Sequence, residues 1–174
     1  MKTLIKIITG FALLNSSLFG QLIFEGDSGP GKGKHIVFIA SDHEYRSEET
    51  LPAMARILAK HFGFKCTTLF GVNEKGEISP GNSNVPGMEA LKDADLMVVF
   101  TRFQNWSDEQ MQHFVDYLDR GGPIVGLRTA THGFKIPANS KWAKYSNGYG
   151  GNEYKDGWGR QVLGEKWAGH YGGN

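Results

Sequence analysis

The chain has 174 residues, 40% hydrophobic and 21% charged, with a formal net charge of +1. That length suits one domain of ordinary size, and that balance is globular rather than disordered. A near-zero charge with no clustered basic face argues against a nucleic-acid partner, and the single cysteine, Cys66, excludes an internal disulfide or a cysteine metal cluster.

Residues 1–20 read as a secretory signal. Lys2 and Lys6 precede a short apolar stretch from Ile7 to Leu14, and small residues lead to Gly20. The stretch is too short for a comfortable membrane span. No membrane span is expected once it is removed, and the mature chain is expected to start near Gln21, in the periplasm or outside a bacterial cell. No cysteine follows that could carry a lipid anchor. Residues 21–34 are dense in glycine and proline and read as a linker, leaving 35–174 as the domain.

His35 to Ala40 is a continuous apolar run, the pattern of a parallel strand buried on both faces. A polar loop, 41–49, leads to a helix predicted from about Thr50, with Pro52 in its first turn. Leu51, Met54, Ile57, Leu58 and Phe62 would form its apolar face, and Gly63 its stop. A second strand is predicted from Phe64 to Phe70, with Cys66 as a small core residue. A long loop, 71–87, and a short helix from Met88 to Ala94 precede a third strand, Asp95 to Thr101. Ser107-Asp-Glu-Gln110 is a capping box opening a helix whose buried stripe is Met111, Phe114, Val115 and Leu118.

The fourth strand, Pro123 to Leu127, breaks abruptly into Arg128-Thr-Ala-Thr-His132. That is how a buried strand looks when it delivers side chains to a crevice at its carboxyl end. The turn resembles a nucleophile elbow, but the elbow position holds Arg128, which stays protonated and has no lone pair for acyl transfer. Beyond it, residues 133–174 contain only Ile136, Val162 and Leu163 as aliphatics, together with three of the four tryptophans. No closing strand is evident there. Helix is expected at most near 139–145 and 158–163.

Strands alternating with helices predict an α/β domain with a mainly parallel sheet. Such a sheet brings three polar clusters to one edge: Asp42, His43, Glu44, Tyr45 and Arg46; Arg102 and Gln104; and Arg128, Thr129, Thr131 and His132. His43 and His132 are the general acid–base candidates, because histidine titrates near working pH, and Glu44 would orient one of them or act as a base. The arginines would position substrate oxygens or stabilise developing negative charge. Either role competes with a structural one: Arg46 also has Glu48 and Glu49 within reach. Trp142, Trp158 and Trp167 fit sugar stacking or the filling of a loop-rich core. His43, Glu44, His132 and His170 are residues a divalent metal would use, but their spacing matches no compact metal motif. No cofactor is expected, with a divalent ion as the alternative.

Three segments carry a family resemblance: Ile36-Val-Phe-Ile-Ala-Ser-Asp-His-Glu-Tyr-Arg-Ser-Glu-Glu49, Ala94-Asp-Leu-Met-Val-Val-Phe-Thr-Arg102 and Gly122-Pro-Ile-Val-Gly-Leu-Arg-Thr-Ala-Thr-His132. A fourth is Val162-Leu-Gly-Glu-Lys-Trp-Ala-Gly-His170. From about residue 35 to 174 the chain resembles the ThuA-like (trehalose-utilisation) family of the class I glutamine amidotransferase-like superfamily. The resemblance implies a flavodoxin-like three-layer sandwich and a secreted role in carbohydrate utilisation. It implies a carbohydrate or sugar-derived ligand at the strand-end cleft, with Tyr45, Arg46, Arg102, Gln104, Arg128, Thr129, Thr131 and His170 binding it.

There are two departures. Related proteins often have His where this chain has Arg128, and they continue past the position of His170 into further strands, so the resemblance implies a C-terminally incomplete member. The alternatives are a non-catalytic sugar-binding domain and a metal-dependent hydrolase. Glutamine amidotransfer is argued against by the absent elbow cysteine. Flavin binding is argued against by the bulky, acidic loop after the first strand.

Overall fold

The computed structural model describes residues 20–170. The expected signal segment, apart from Gly20, lies outside the described residues. Five strands form one sheet: β1 (Gln21–Phe24), β2 (His35–Ser41), β3 (Lys65–Phe70), β4 (Leu96–Thr101) and β5 (Ile124–Gly126), in the order β1-β3-β2-β4-β5. β3, β2, β4 and β5 run parallel, whereas β1 joins β3 antiparallel, with Gln21 opposite Leu69 and Phe24 opposite Cys66. Without β1, the order is that of flavodoxin-like doubly wound sheets, whose ligand crevice lies where the winding reverses, here between β2 and β4.

Two helices complete the frame, α1 (Ser47–Phe62) and α2 (Asp108–Asp119). Alternate residues of each central strand face opposite layers. Ile36, Phe38, Cys66, Phe70, Val98 and Phe100 pack with Leu51, Ala55 and Ala59 of α1. Val37, Ile39, Leu69, Met97 and Val99 share a core with Met111, Phe114 and Val115 of α2 and with Met88 and Leu91 of the turn Met88–Asp93. The result is a three-layer α/β sandwich with a mainly parallel sheet. The capping box of α2 is present, with Gln110 N–H donating to Ser107 Oγ at 3.3 Å.

Four local expectations are corrected. The supposed linker opens with β1, which covers the otherwise unpaired edge of β3. Its glycine-rich continuation packs on the end of α1, where Gly31 N–H donates to Phe62 O at 2.8 Å. α1 begins at Ser47 rather than Thr50, because Ser47 Oγ accepts Asp42 N–H at 3.0 Å and draws the helix start into the loop. Pro52 therefore lies in the second turn, not the first.

The buried face of α1 is also rotated. The alanines allow close approach to the sheet along Leu51, Ala55 and Ala59, while Ile57 and Phe62 are exposed. β5, expected to be buried, is a three-residue edge strand with Val125 43% exposed, because nothing pairs beyond it among the described residues. The aromatic tail covers part of this end. Leu163 lies over Gly126, and Phe134, Tyr145 and Trp158 fill the α2-side core. Among the described residues of the tail, the only helical turns are Ala143–Tyr145 and Gly159–Leu163.

Candidate functional site

The loop after β2 is built on Asp42. Its side chain is fully buried, and Oδ1 accepts the N–H groups of Glu44 at 2.8 Å and Tyr45 at 2.5 Å. This is an Asx turn, in which a short carboxylate folds its own following backbone. The other oxygen, Oδ2, accepts the hydroxyl of Thr129 at 2.8 Å. One carboxylate thus fastens the β2 loop to the β5 elbow, across a sequence separation of 87 residues.

The β4 loop enters between them through Arg102. Its Nη1 donates to His43 Nε2 at 2.7 Å, and its Nε lies 3.0 Å from Glu44 Oε2 as an ion pair without the alignment of a hydrogen bond. Arginine only donates, so His43 accepts on Nε2 and carries its proton on Nδ1. The lone pair of His43 is therefore occupied in this arrangement.

At the elbow Arg128 has φ 40, a left-handed backbone that side-chain-bearing residues rarely adopt. Its guanidinium carbon sits 3.7 Å from the centroid of the Tyr45 ring. The short helical turn Arg128–His132 then carries Thr129, Thr131 and His132. The His132 ring is buried against Phe103, 5.1 Å between centroids, and Trp167, at 4.8 Å. Its Nδ1 lies 3.3 Å from Thr131 Oγ1. Burial, and then the charge of Arg102, hold the His132 pKa below its ordinary value, partly offset by Glu44 and Asp42. A neutral imidazole at neutral pH is one that can accept a proton.

These residues enclose a cleft of about 300 Å³. It is lined by residues of the β2 loop, the elbow and the tail, among them Glu44, Arg128, His132 and Trp167. A larger trough, about 760 Å³, follows the free edge of β5 between Ile124, Tyr145, Tyr154 and Leu163. The smaller cleft holds the carboxylate, the guanidinium and the imidazoles together, and it lies at the carboxyl ends of parallel strands. Chemistry therefore favours it over size.

Seven of the expected site residues line this cleft: Glu44, Tyr45, Arg128, Thr129, Thr131, His132 and His170. Thr129 does so with its hydroxyl already held by Asp42. Arg102 stands behind them, and His43 is reached through it.

Two more residues expected to contact the ligand do not line this cleft. Gln104 is fully buried with every polar atom engaged: Nε2 donates among the carbonyls of Ser41, Gly81 and Arg102, and Oε1 accepts from Trp106 Nε1 and Ser41 Oγ. It braces three loops and offers nothing to a ligand. Arg46 points into solvent and pairs with Glu49 at 2.6 Å.

Sequence reasoning put Asp42 among the strand-end polar residues and Trp167 among the candidates for sugar stacking, but missed Asp42 as the anchor of the loop, Phe103, and the contact of Trp167 with His132. An aspartate directly after a strand is an Asx-turn signal that could have found the first; the aromatics depend on the path of the tail. Although Glu44, His132 and His170 share the cleft, no three His, Cys, Asp or Glu side chains among the described residues are grouped closely enough to hold a metal ion. Comparison with protein-family models, with curated proteins and with solved structures gives no match to this chain.

Proposed function

We propose that this is a secreted, ThuA-like protein of carbohydrate utilisation that binds a sugar or sugar derivative in the strand-end cleft and transforms it by acid–base chemistry. The observation that carries the reading is the buried, neutral-leaning imidazole of His132, set beside Glu44 and Arg128 at the carboxyl edge of the sheet. In this role His132 takes a proton from a substrate hydroxyl or an acidic C–H. Arg128 then meets the negative oxygen that develops, while Trp167 supplies an apolar wall for the sugar's C–H face. Glu44, held by Arg102, is the second proton carrier. The elbow arginine speaks against glutamine amidotransfer, since no thiol stands at the turn.

A second reading, a non-catalytic sugar-binding domain, is favoured by the occupied lone pair of His43. One experiment separates the two. The protein and its His132→Gln variant are incubated with a panel of mono-, oligo- and keto-saccharides, with and without chelator, and followed by mass spectrometry and calorimetry. Turnover by the parent and not by the variant is the expected result. Saturable binding without turnover supports the binding domain, and an absence of both refutes the sugar reading.

A further inference from the structure

Three arginines stand near the ligand edge of the sheet, and their surroundings differ. Arg46 is paired with Glu49. Arg102 is paired with Glu44 and donates to His43. Arg128 has no carboxylate within ion-pair distance among the described residues, and it is exposed at the cleft.

It is nonetheless held in place. Its flat face lies on the Tyr45 ring, and stacking leaves the N–H fork at the guanidinium edge open. Both supports of that stack answer to one anchor. Tyr45 N–H donates to Asp42 Oδ1, and Thr129, the residue after the arginine, donates to Asp42 Oδ2. Of the charges at the cleft, Glu44 is paired with Arg102, His132 is held toward neutrality, the buried Asp42 carboxylate is taken up by its three donors, and the Arg128 guanidinium alone has no ion-pair partner among the described residues.

We propose that Arg128 is the docking point for a carboxylate on the ligand, so that the cleft takes an acidic sugar, of the uronic- or aldonic-acid class, in preference to a neutral one. The inference rests on the sugar reading above and narrows it. A fixed planar fork with two parallel donors matches a planar carboxylate. A neutral hydroxyl pair satisfies the same donors with weaker bonds.

The test is titration of the protein with D-glucuronate, D-glucose, glucose 6-phosphate and acetate, by calorimetry and NMR at low and at physiological salt. Variants Arg128→Gln and Arg128→Lys run in parallel. Arg128 is exposed, so neither change threatens the fold. Glucuronate is expected to bind at least roughly tenfold more tightly than glucose, to weaken with salt, and to lose that preference in Arg128→Gln. The lysine variant should retain only part of it, because a point charge lacks the fork. Equal affinity for glucuronate and glucose, or a preference that survives Arg128→Gln, overturns the acidic-ligand inference and leaves the sugar reading standing. A preference for the phosphate overturns the carboxylate assignment. Acetate binding as tightly as glucuronate, and lost in Arg128→Gln, keeps the carboxylate dock and removes the sugar reading. No binding by any of the four overturns both.

Discussion

Replacing Asp42 tests whether one carboxylate joins the two halves of the site. In Asp42→Ala, three donors lose their acceptor. Each hydrogen bond to a charged acceptor is worth roughly 1.5–3 kcal/mol, but the losses differ. Glu44 is exposed and Tyr45 half-buried, so water can reach their amides. Thr129 is buried, and its hydroxyl is left unsatisfied. With that discount the expected cost is about 2–4 kcal/mol, a fall of roughly 6–12 °C in Tm for a domain of this size.

Asp42→Asn keeps one oxygen for the two amides and lets Thr129 turn to accept from the new amide, so its cost is about 1–2 kcal/mol. Thr129→Val costs about 1 kcal/mol by the same reasoning. Urea unfolding of the singles and the Asp42→Ala/Thr129→Val double mutant completes the cycle. The double should be less costly than the sum by at least about 0.5 kcal/mol, because both changes break the same bond. Additivity, or an Asp42→Ala cost below about 1 kcal/mol, would show that the β2 loop and the elbow stand independently.

Three other outcomes are expected. His132 and His35 are both held below the ordinary histidine value of 6.5, chiefly by burial, so the unfolded chain binds their protons first. Stability is full above about pH 6.5 and falls as pH drops toward the folded-state values; urea midpoints at pH 7.5, 6 and 5 should decline, and His132→Gln should flatten that decline. Cys66 is fully buried, with its thiol pushed up to about 11, so a thiol reagent at pH 8 should label it only on unfolding; prompt labelling of the native protein contradicts this core. Gly159 backs directly onto the Thr131 carbonyl, and backbone there cannot yield as a side chain would. Gly159→Ala should cost about 1–3 kcal/mol, whereas Gly126→Ala, which meets only the tip of Leu163, should cost less; equal melting temperatures would refute the distinction.

The central strands were legible because a strand buried on both faces must be apolar throughout, and His35 to Ala40 and Leu96 to Phe100 are little else. The site's position followed from topology, since Glu44 and Arg128 lie only a few residues beyond their strands. β1 was not legible. Four residues with an antiparallel partner more than forty positions away leave no periodic trace, and the breakers after them read as linker. Gln104 was misplaced because a polar residue at a strand end looks the same whether it faces a crevice or braces the loops beneath it. Ile57 and Phe62 misled because propensity for the core counts side chains, whereas the helix seats itself on its alanines. Trp167 could not be paired with His132 without the course of an irregular tail.

The left-handed backbone at Arg128 sets stability and recognition against each other. A residue with a side chain held at φ 40 costs about 1 kcal/mol or more that glycine would not incur. A selection that scored thermal tolerance alone would drift toward glycine at this turn, and with it toward a smoother, more durable and emptier molecule. Screens for hardier variants of this protein therefore need a ligand in the assay, because one of the positions open to such improvement lines the cleft itself.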